Sequence, residues 1–176
     1  LPSGLHIQEL LRILGDDGYY VLHLSLTHVS FSEVQGVLSL LTDRFDTVTG
    51  WLPPHEADAI VLVASPQPSK PKLAVLEAGA RRLQPALAAL DLLTPVDLAD
   101  RATLSYETLQ RVAEAGHFTN GLRSPRSHGV GPALWPLLAE ALPEVQQIFQ
   151  IEATDPMLGI LQERQNAKRA FFDFLT

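Results

Sequence analysis

The stretch YYVLHLSL at residues 19–26 decides the fold class, because it is the clearest strand in the chain. Leu22, Leu24 and Leu26 alternate with other side chains, which is the period-two pattern of a strand with one buried face. Upstream, LHIQELLRIL at 5–14 has the apolar spacing of a short helix, and Gly15 is placed to end it. The chain is therefore expected to open with a helix followed by a strand.

Downstream of this strand, the pattern predicts one helix and two more strands. Ser30 and Glu33 have the spacing of a reciprocal capping box, and an apolar stripe continues from there to about Asp43. The segments DTVTGWL at 46–52 and AIVLVA at 59–64 are rich in strand-forming residues. Residues 1–65 should thus form an α-β-α-β-β unit, a small mixed sheet with a helix on one face. This layering resembles that of ferredoxin-like folds and nucleotidyl-cyclase palms.

The remainder of the chain is predicted to be helical, so the fold class is α+β. PQPSKPK at 66–72 contains three prolines and should be a connector, and residues 73–176 follow as the helical region. Thr94-Pro95 and Asp155-Pro156 mark helix starts, and Pro85 is expected to divide a helix. The last helix, about 157–174, is apolar at its end, which favours docking on a protein partner or on a second copy.

Composition limits the classes of protein to consider. With 176 residues, 46% apolar and 19% charged, the chain can form one domain or two very small ones, with a substantial core. No apolar run is long enough to cross a bilayer, and no signal-peptide pattern precedes the first helix, so we expect a cytoplasmic protein with no membrane partner. The absence of cysteine excludes disulfides and thiolate metal sites.

Charge is distributed unevenly along the chain. The net charge is −7, and residues 1–60 contain eight acidic side chains against two arginines. Only residues 101–130 are basic, with four arginines against two glutamates. A polyanion would therefore be repelled by most of the molecule, and contact with nucleic acid would have to be local to this window.

The segment DLADRATLSYETLQRV at 97–112 lies in that window and has the spacing of a helix-turn-helix within a unit at 95–115. It resembles the motif of lac-repressor-type regulators at Ala99, Ala102, Ser105, Thr108, Arg111 and Val112. The resemblance implies that DNA is contacted by Ser105, Tyr106, Glu107, Gln110 and Arg111. The alternative interpretation of the same spacing is an ordinary helical hairpin.

The segment HFTNGLRSPRSHGVG at 117–131 follows this motif and is rich in glycine, serine and arginine. Guanidinium groups and free backbone amides suit phosphate or carboxylate, so an anion-binding loop is predicted at His117, Arg123, Arg126 and His128. A solvent-exposed loop without a ligand is the alternative.

Enzymatic chemistry finds little support in the sequence. Asp16-Asp17 and the run His55-Glu56-x-Asp58 precede strands, where a cyclase palm holds Mg²⁺, but the first strand ends without a metal-binding carboxylate. The histidines lack the spacing of a zinc site, and no phosphate-binding loop or nucleophile elbow is present. A non-enzymatic role is therefore favoured over an enzymatic one, and we expect no cofactor and no metal.

Three hypotheses of function follow. The first is a regulatory protein that binds DNA through the helix-turn-helix and the basic loop. The second is a protein-interaction or assembly module that does not bind nucleic acid. The third is a degenerate nucleotidyl-cyclase-like palm that binds a nucleotide.

Overall fold

The core of the protein is a four-stranded sheet with the strand order β1-β3-β2-β4. The computed structural model describes residues 4–27, 29–54, 59–68, 70–114 and 142–175. The strands are β1 (Tyr20–Ser25), β2 (Thr47–Trp51), β3 (Ala59–Ser65) and β4 (Ala102–Leu104). The first three agree with the strands that the sequence predicts.

Helices pack on both faces of this sheet, and the α+β class is confirmed. Those before the Pro-rich connector are α1 (Gly4–Leu14) and α2 (Phe31–Thr42). Those between the connector and residue 114 are α3 (Leu73–Arg82), α4 (Gln84–Ala88), α5 (Pro95–Ala99) and α6 (Tyr106–Glu114). The last two are α7 (Val145–Ile148) and α8 (Pro156–Leu175).

The first three strands and α2 form a split β-α-β arrangement. β3 lies between β1 and β2 and is antiparallel to both, so β1 and β2 run in the same direction without being neighbours. The sheet is consequently antiparallel at each of its described pairings, whereas the sequence predicted a mixed sheet. Insertion of β3 between the two parallel strands accounts for the difference.

β4 is a strand that the sequence analysis did not predict. It pairs with the free edge of β2, where Gly50 faces Leu104 and Trp51 faces Ala102. α6 follows directly and packs on α2, and the amide of Gln35 donates to the carbonyl oxygen of Val112 at 3.1 Å. Residues beyond the connector therefore complete the sheet that begins before it.

Two apolar clusters stabilise the two faces of the sheet. The larger one fills the space between the sheet and the helices α1, α2 and α6, and its most buried side chains include Ile7, Leu41 and Phe45. The smaller one joins α3, α5, α7 and α8, and it reaches the sheet where Trp51 meets the edge of Phe149, with ring centroids 6.2 Å apart. The helical half is thus packed against the β2–β4 side of the sheet.

The C-terminal helix α8 begins after Asp155, as predicted, and its first half belongs to the smaller cluster. Met157, Leu158 and Leu161 are buried there. The side chains of residues 171–176 lie outside the described set, so docking of this helix end on a partner stays a prediction. Within the described ranges, no helix has the length and apolarity needed to span a bilayer.

Candidate functional site

The predicted helix-turn-helix forms a helix, a strand and a second helix. α5 is only five residues long, with Thr94 and Asp97 making a capping box at its start. Residues 102–104, expected to form the end of the first helix and the turn, are instead β4. A helix-turn-helix needs its two helices to cross on either side of a short turn, and here a hydrogen-bonded strand separates them. The geometry that the lac-repressor resemblance implied is therefore not formed.

Two of the five residues predicted to contact DNA hold the domain together instead. Ser105 is 1% exposed, and its hydroxyl accepts from the backbone amide of Thr108 at 3.2 Å, which caps the start of α6. The Tyr106 hydroxyl donates to the carbonyl oxygen of Thr42 at 2.8 Å and so ties α6 to the end of α2. Both side chains are thus engaged in contacts within the domain.

The other three residues lie on the exposed side of α6. Glu107, Gln110 and Arg111 all face solvent, and the amide of Gln110 donates to the carboxylate of Glu114 at 3.0 Å. This surface carries two carboxylates and one guanidinium group, so its net charge is negative. DNA phosphate would be repelled by it rather than attracted.

The anion-binding loop cannot be placed. His117, Arg123, Arg126 and His128 lie outside the described residues, as do His55, Glu56 and Asp58. Asp16 and Asp17 form an exposed turn before β1. In the ranges that the structure describes, no three histidine or acidic side chains are grouped so that they could hold a metal ion.

A small cavity lies in the core between the sheet and the helices α2 and α6. Its lining is entirely apolar and includes Leu24, Leu62 and Leu109. The cavity has room for one water molecule at most. A nucleotide does not fit there.

An ion-pair network joins α5 to α8. Asp97 accepts from Arg164 at 2.9 Å, and the Lys168 ammonium lies 2.7 Å from the carboxylate of Asp100 and donates to its backbone oxygen. Burial tends to raise the pKa of Asp97, but hydrogen bonds from Thr94 and the pair with Arg164 outweigh it, and the pKa is lowered. Burial lowers the pKa of Lys168, although Asp100 opposes the shift. The network is a structural connection, with its charges already paired.

Residues 83–93 form a compact apolar turn, which we call the leucine hairpin. Leu83, Leu90 and Leu93 are 55%, 45% and 63% exposed, and no residue of α4 is buried. The hairpin is nevertheless ordered, because the Gln84 amide donates to the carbonyl oxygen of Leu93 at 2.8 Å and Leu92 is buried as an anchor. Its surface therefore carries three exposed leucines together with the exposed carboxylate of Asp91.

The exposure of the leucine hairpin is not predicted by the sequence analysis. The run from Leu73 to Leu93 is rich in leucine and alanine, and Pro85 divides it as predicted, at the start of α4. Such a composition is typical of a buried helix. Leu83, Leu90 and Leu93 lie outside the five-residue α4, in flanking turns where no helical period indicates which side chains are buried.

Comparison of the chain with protein-family models, with curated proteins and with solved structures found no match. Function is therefore argued from the chemistry and geometry of its own side chains.

Proposed function

We propose that the chain is a protein-interaction module and that the leucine hairpin is its contact surface. The observation that supports this proposal is the exposure of Leu83, Leu90 and Leu93 on an ordered turn. Clustered exposed apolar side chains on a folded domain mark sites of association, whereas scattered ones do not. The DNA-binding hypothesis has less support, because its helix pair is divided by β4 and its exposed helix face is acidic.

The energetics favour a contact of moderate strength. Full burial of a leucine side chain is worth roughly 1.5–3 kcal/mol, and each hairpin leucine is about half exposed, so burying all three contributes about 3 kcal/mol. That amount changes a dissociation constant by roughly a hundredfold. Removal of the three leucines should therefore be easy to detect in a binding measurement.

The partner should present an apolar groove with an acidic rim. Arg81 and Arg82 lie at the end of α3 beside the hairpin, and both are exposed. Arg81 lies 3.7 Å from the carboxylate of Glu77, a long contact for an ion pair. The guanidinium groups at the edge of an apolar contact would select carboxylates on the opposing surface.

A crosslinking experiment tests this function. Because the sequence contains no cysteine, a single introduced cysteine can be labelled selectively. Leu90→Cys carries a photoreactive maleimide on the hairpin, and Ile160→Cys, 46% exposed on α8, is the matched control. We expect the hairpin probe to capture a protein that the control probe does not. Equal capture by both probes, or none by either, would overturn the proposal.

Capture must then be followed by a measurement on purified components. The variant with Leu83→Gln, Leu90→Gln and Leu93→Gln should bind the captured protein at least about tenfold more weakly by calorimetry. Ile160→Gln should bind as the unaltered chain does. If the triple variant keeps the full affinity, the hairpin is not the contact surface.

A further inference from the structure

Arg101 lies at the corner where α5 ends and β4 begins, and its charge is not paired there. Its backbone is held in place, because its carbonyl oxygen accepts from the amide of Leu52 at 2.8 Å and from the hydroxyl of Thr103 at 3.1 Å. The side chain is half-buried, and within the described ranges no carboxylate forms an ion pair with it. A guanidinium group is therefore fixed at this corner without a counter-charge.

The Nε atom of Arg101 is buried without a hydrogen-bond acceptor. Among the side chains that the structure describes, it is the one buried nitrogen or oxygen atom in this condition. Buried polar groups in folded proteins are nearly always hydrogen-bonded, so an orphaned one marks a strained contact or a place where water or an ion binds. The terminal nitrogens of the same guanidinium group are not buried in this way, so a small ligand can reach them from solvent.

The carboxylates closest to Arg101 in the chain are engaged by other cations. Asp97 accepts from Arg164 at 2.9 Å, and the ammonium group of Lys168 lies 2.7 Å from the carboxylate of Asp100. Three cations thus share this corner with two carboxylates. One positive charge is left over, and it belongs to Arg101.

Lys168 extends the same cationic site. Burial lowers the pKa of Lys168 most, Asp100 raises it, and the positive charges of Arg101 and Arg164 lower it further. Both arginines therefore lie near enough to the ammonium group to repel it. An ammonium group has three donors, and those of Lys168 serve the carboxylate and the backbone oxygen of Asp100, which leaves one for another acceptor.

We infer that Arg101 and Lys168 form a binding site for a small oxoanion, that is, a phosphate or a carboxylate group. The guanidinium group provides a planar fork that matches two oxygen atoms, and the ammonium group adds a compact charge beside it. A bound anion neutralises the surplus charge and leaves both existing ion pairs intact. The net charge of −7 disfavours a polyanion, whereas a single small anion responds mainly to the local charge.

Thermal melting in two matched buffers tests the site. The melting temperature is compared between about 20 mM phosphate and chloride of the same ionic strength, and a dissociation constant of about 1 mM would give a rise of about 4 °C in phosphate. Arg101→Met should lose this rise, because it removes the guanidinium group while keeping an unbranched side chain. If Arg101→Met does not fold, Arg101→Gln replaces it, with the same expected loss.

A matched control separates the site from a general effect of charge. Arg44→Met makes the same change at an exposed position between α2 and β2, so the two variants have equal net charge. Arg44→Met should keep the full rise in phosphate. Phosphorus NMR measures binding directly: the resonance of inorganic phosphate should broaden when the unaltered chain is added and should stay narrow with Arg101→Met.

A third buffer, with acetate at the same ionic strength, identifies the anion. A rise in phosphate alone assigns a phosphate group, and an equal or larger rise in acetate assigns a carboxylate. No rise over chloride in either anion overturns the oxoanion site, and so does an equal rise for the unaltered chain and for Arg101→Met. These results do not depend on the leucine hairpin, whose side chains take no part in the site.

Discussion

Gly50 of β2 and Leu104 of β4 lie so close together that no larger residue fits at position 50. A Cβ on Gly50 would lie 2.7 Å from Cδ1 of Leu104 and 2.8 Å from its Cβ. Leu104 is itself 1% exposed and fixed in the larger apolar cluster. The missing side chain at position 50 thus leaves the room that Leu104 occupies when β4 pairs with β2.

Gly50→Ala should destabilise the protein by about 2 kcal/mol, because the added methyl group forces β4 away from β2. Chemical denaturation followed by circular dichroism measures the change. Gly36→Ala is the control, since a Cβ at Gly36 in α2 meets no atom within 4 Å and alanine is the better helix former. Equal stability of Gly50→Ala and the unaltered protein would contradict the packing described for β4.

Tyr106 provides a second test of how α6 is attached. Tyr106→Phe removes the hydroxyl that donates to Thr42 while keeping the ring, so the free energy of unfolding should fall by about 1 kcal/mol. A DNA-contacting tyrosine on an exposed ridge would show no such loss. An unchanged unfolding midpoint would therefore favour the original helix-turn-helix interpretation.

The elements with a long periodic pattern could be predicted from the sequence. β1 and α2 were placed to within a residue or two, and the capping box of Ser30 and Glu33 is present. Each of these segments repeats its apolar period several times, and the physical requirement to bury one face leaves little choice of structure.

β4 and the candidate site could not be predicted in the same way. Ala99 and Ala102 are both buried, as a helix-turn-helix requires, but the end of a short helix followed by a three-residue strand buries them equally well. Three residues are too few to show a strand period, and pairing with β2 is a long-range contact that local spacing does not encode. The exposure of the leucine hairpin likewise depends on which neighbours the fold provides.

The pair of Asp100 and Lys168 predicts strong non-additivity. Asp100→Ala leaves a largely buried ammonium without its carboxylate, so we expect a loss of about 2 kcal/mol in the free energy of unfolding. Asp100→Ala combined with Lys168→Met replaces the pair by apolar groups and should recover most of that loss. A double-mutant cycle by urea denaturation measures the coupling. If the changes in unfolding free energy of Asp100→Ala and Lys168→Met simply add up in the double variant, the ion pair makes no contribution to stability.

Asp97 makes stability sensitive to acid. The pKa of Asp97 is lower in the folded state than in the unfolded chain, where it is about 3.9. The ionised carboxylate therefore contributes fully to stability above the unfolded-state pKa, and this contribution is lost as the pH falls through the folded-state pKa. The melting temperature should therefore fall more steeply below about pH 4 for the unaltered protein than for Asp97→Asn. Melts from pH 7 to pH 2.5 test this, and parallel curves for the two proteins would contradict the assignment.

The exposed side of α6 provides a direct test against DNA recognition by this helix. Among the described side chains of α6, Arg111 is the one cation, whereas Glu107 and Glu114 are both negative. Removing Arg111 should therefore have little effect on the electrostatic interaction of this helix with a phosphate group. We expect Arg111→Ala to have the same affinity for duplex DNA as the unaltered protein in an anisotropy titration, both at 50 mM and at 200 mM salt. The two salt concentrations are chosen because contacts to phosphate differ greatly in strength between them. Gln110→Ala, which removes a side chain already bonded to Glu114, serves as the neutral control. A tenfold loss of affinity with Arg111→Ala, together with a shallower salt dependence, would assign DNA contact to α6 and reopen the regulatory hypothesis.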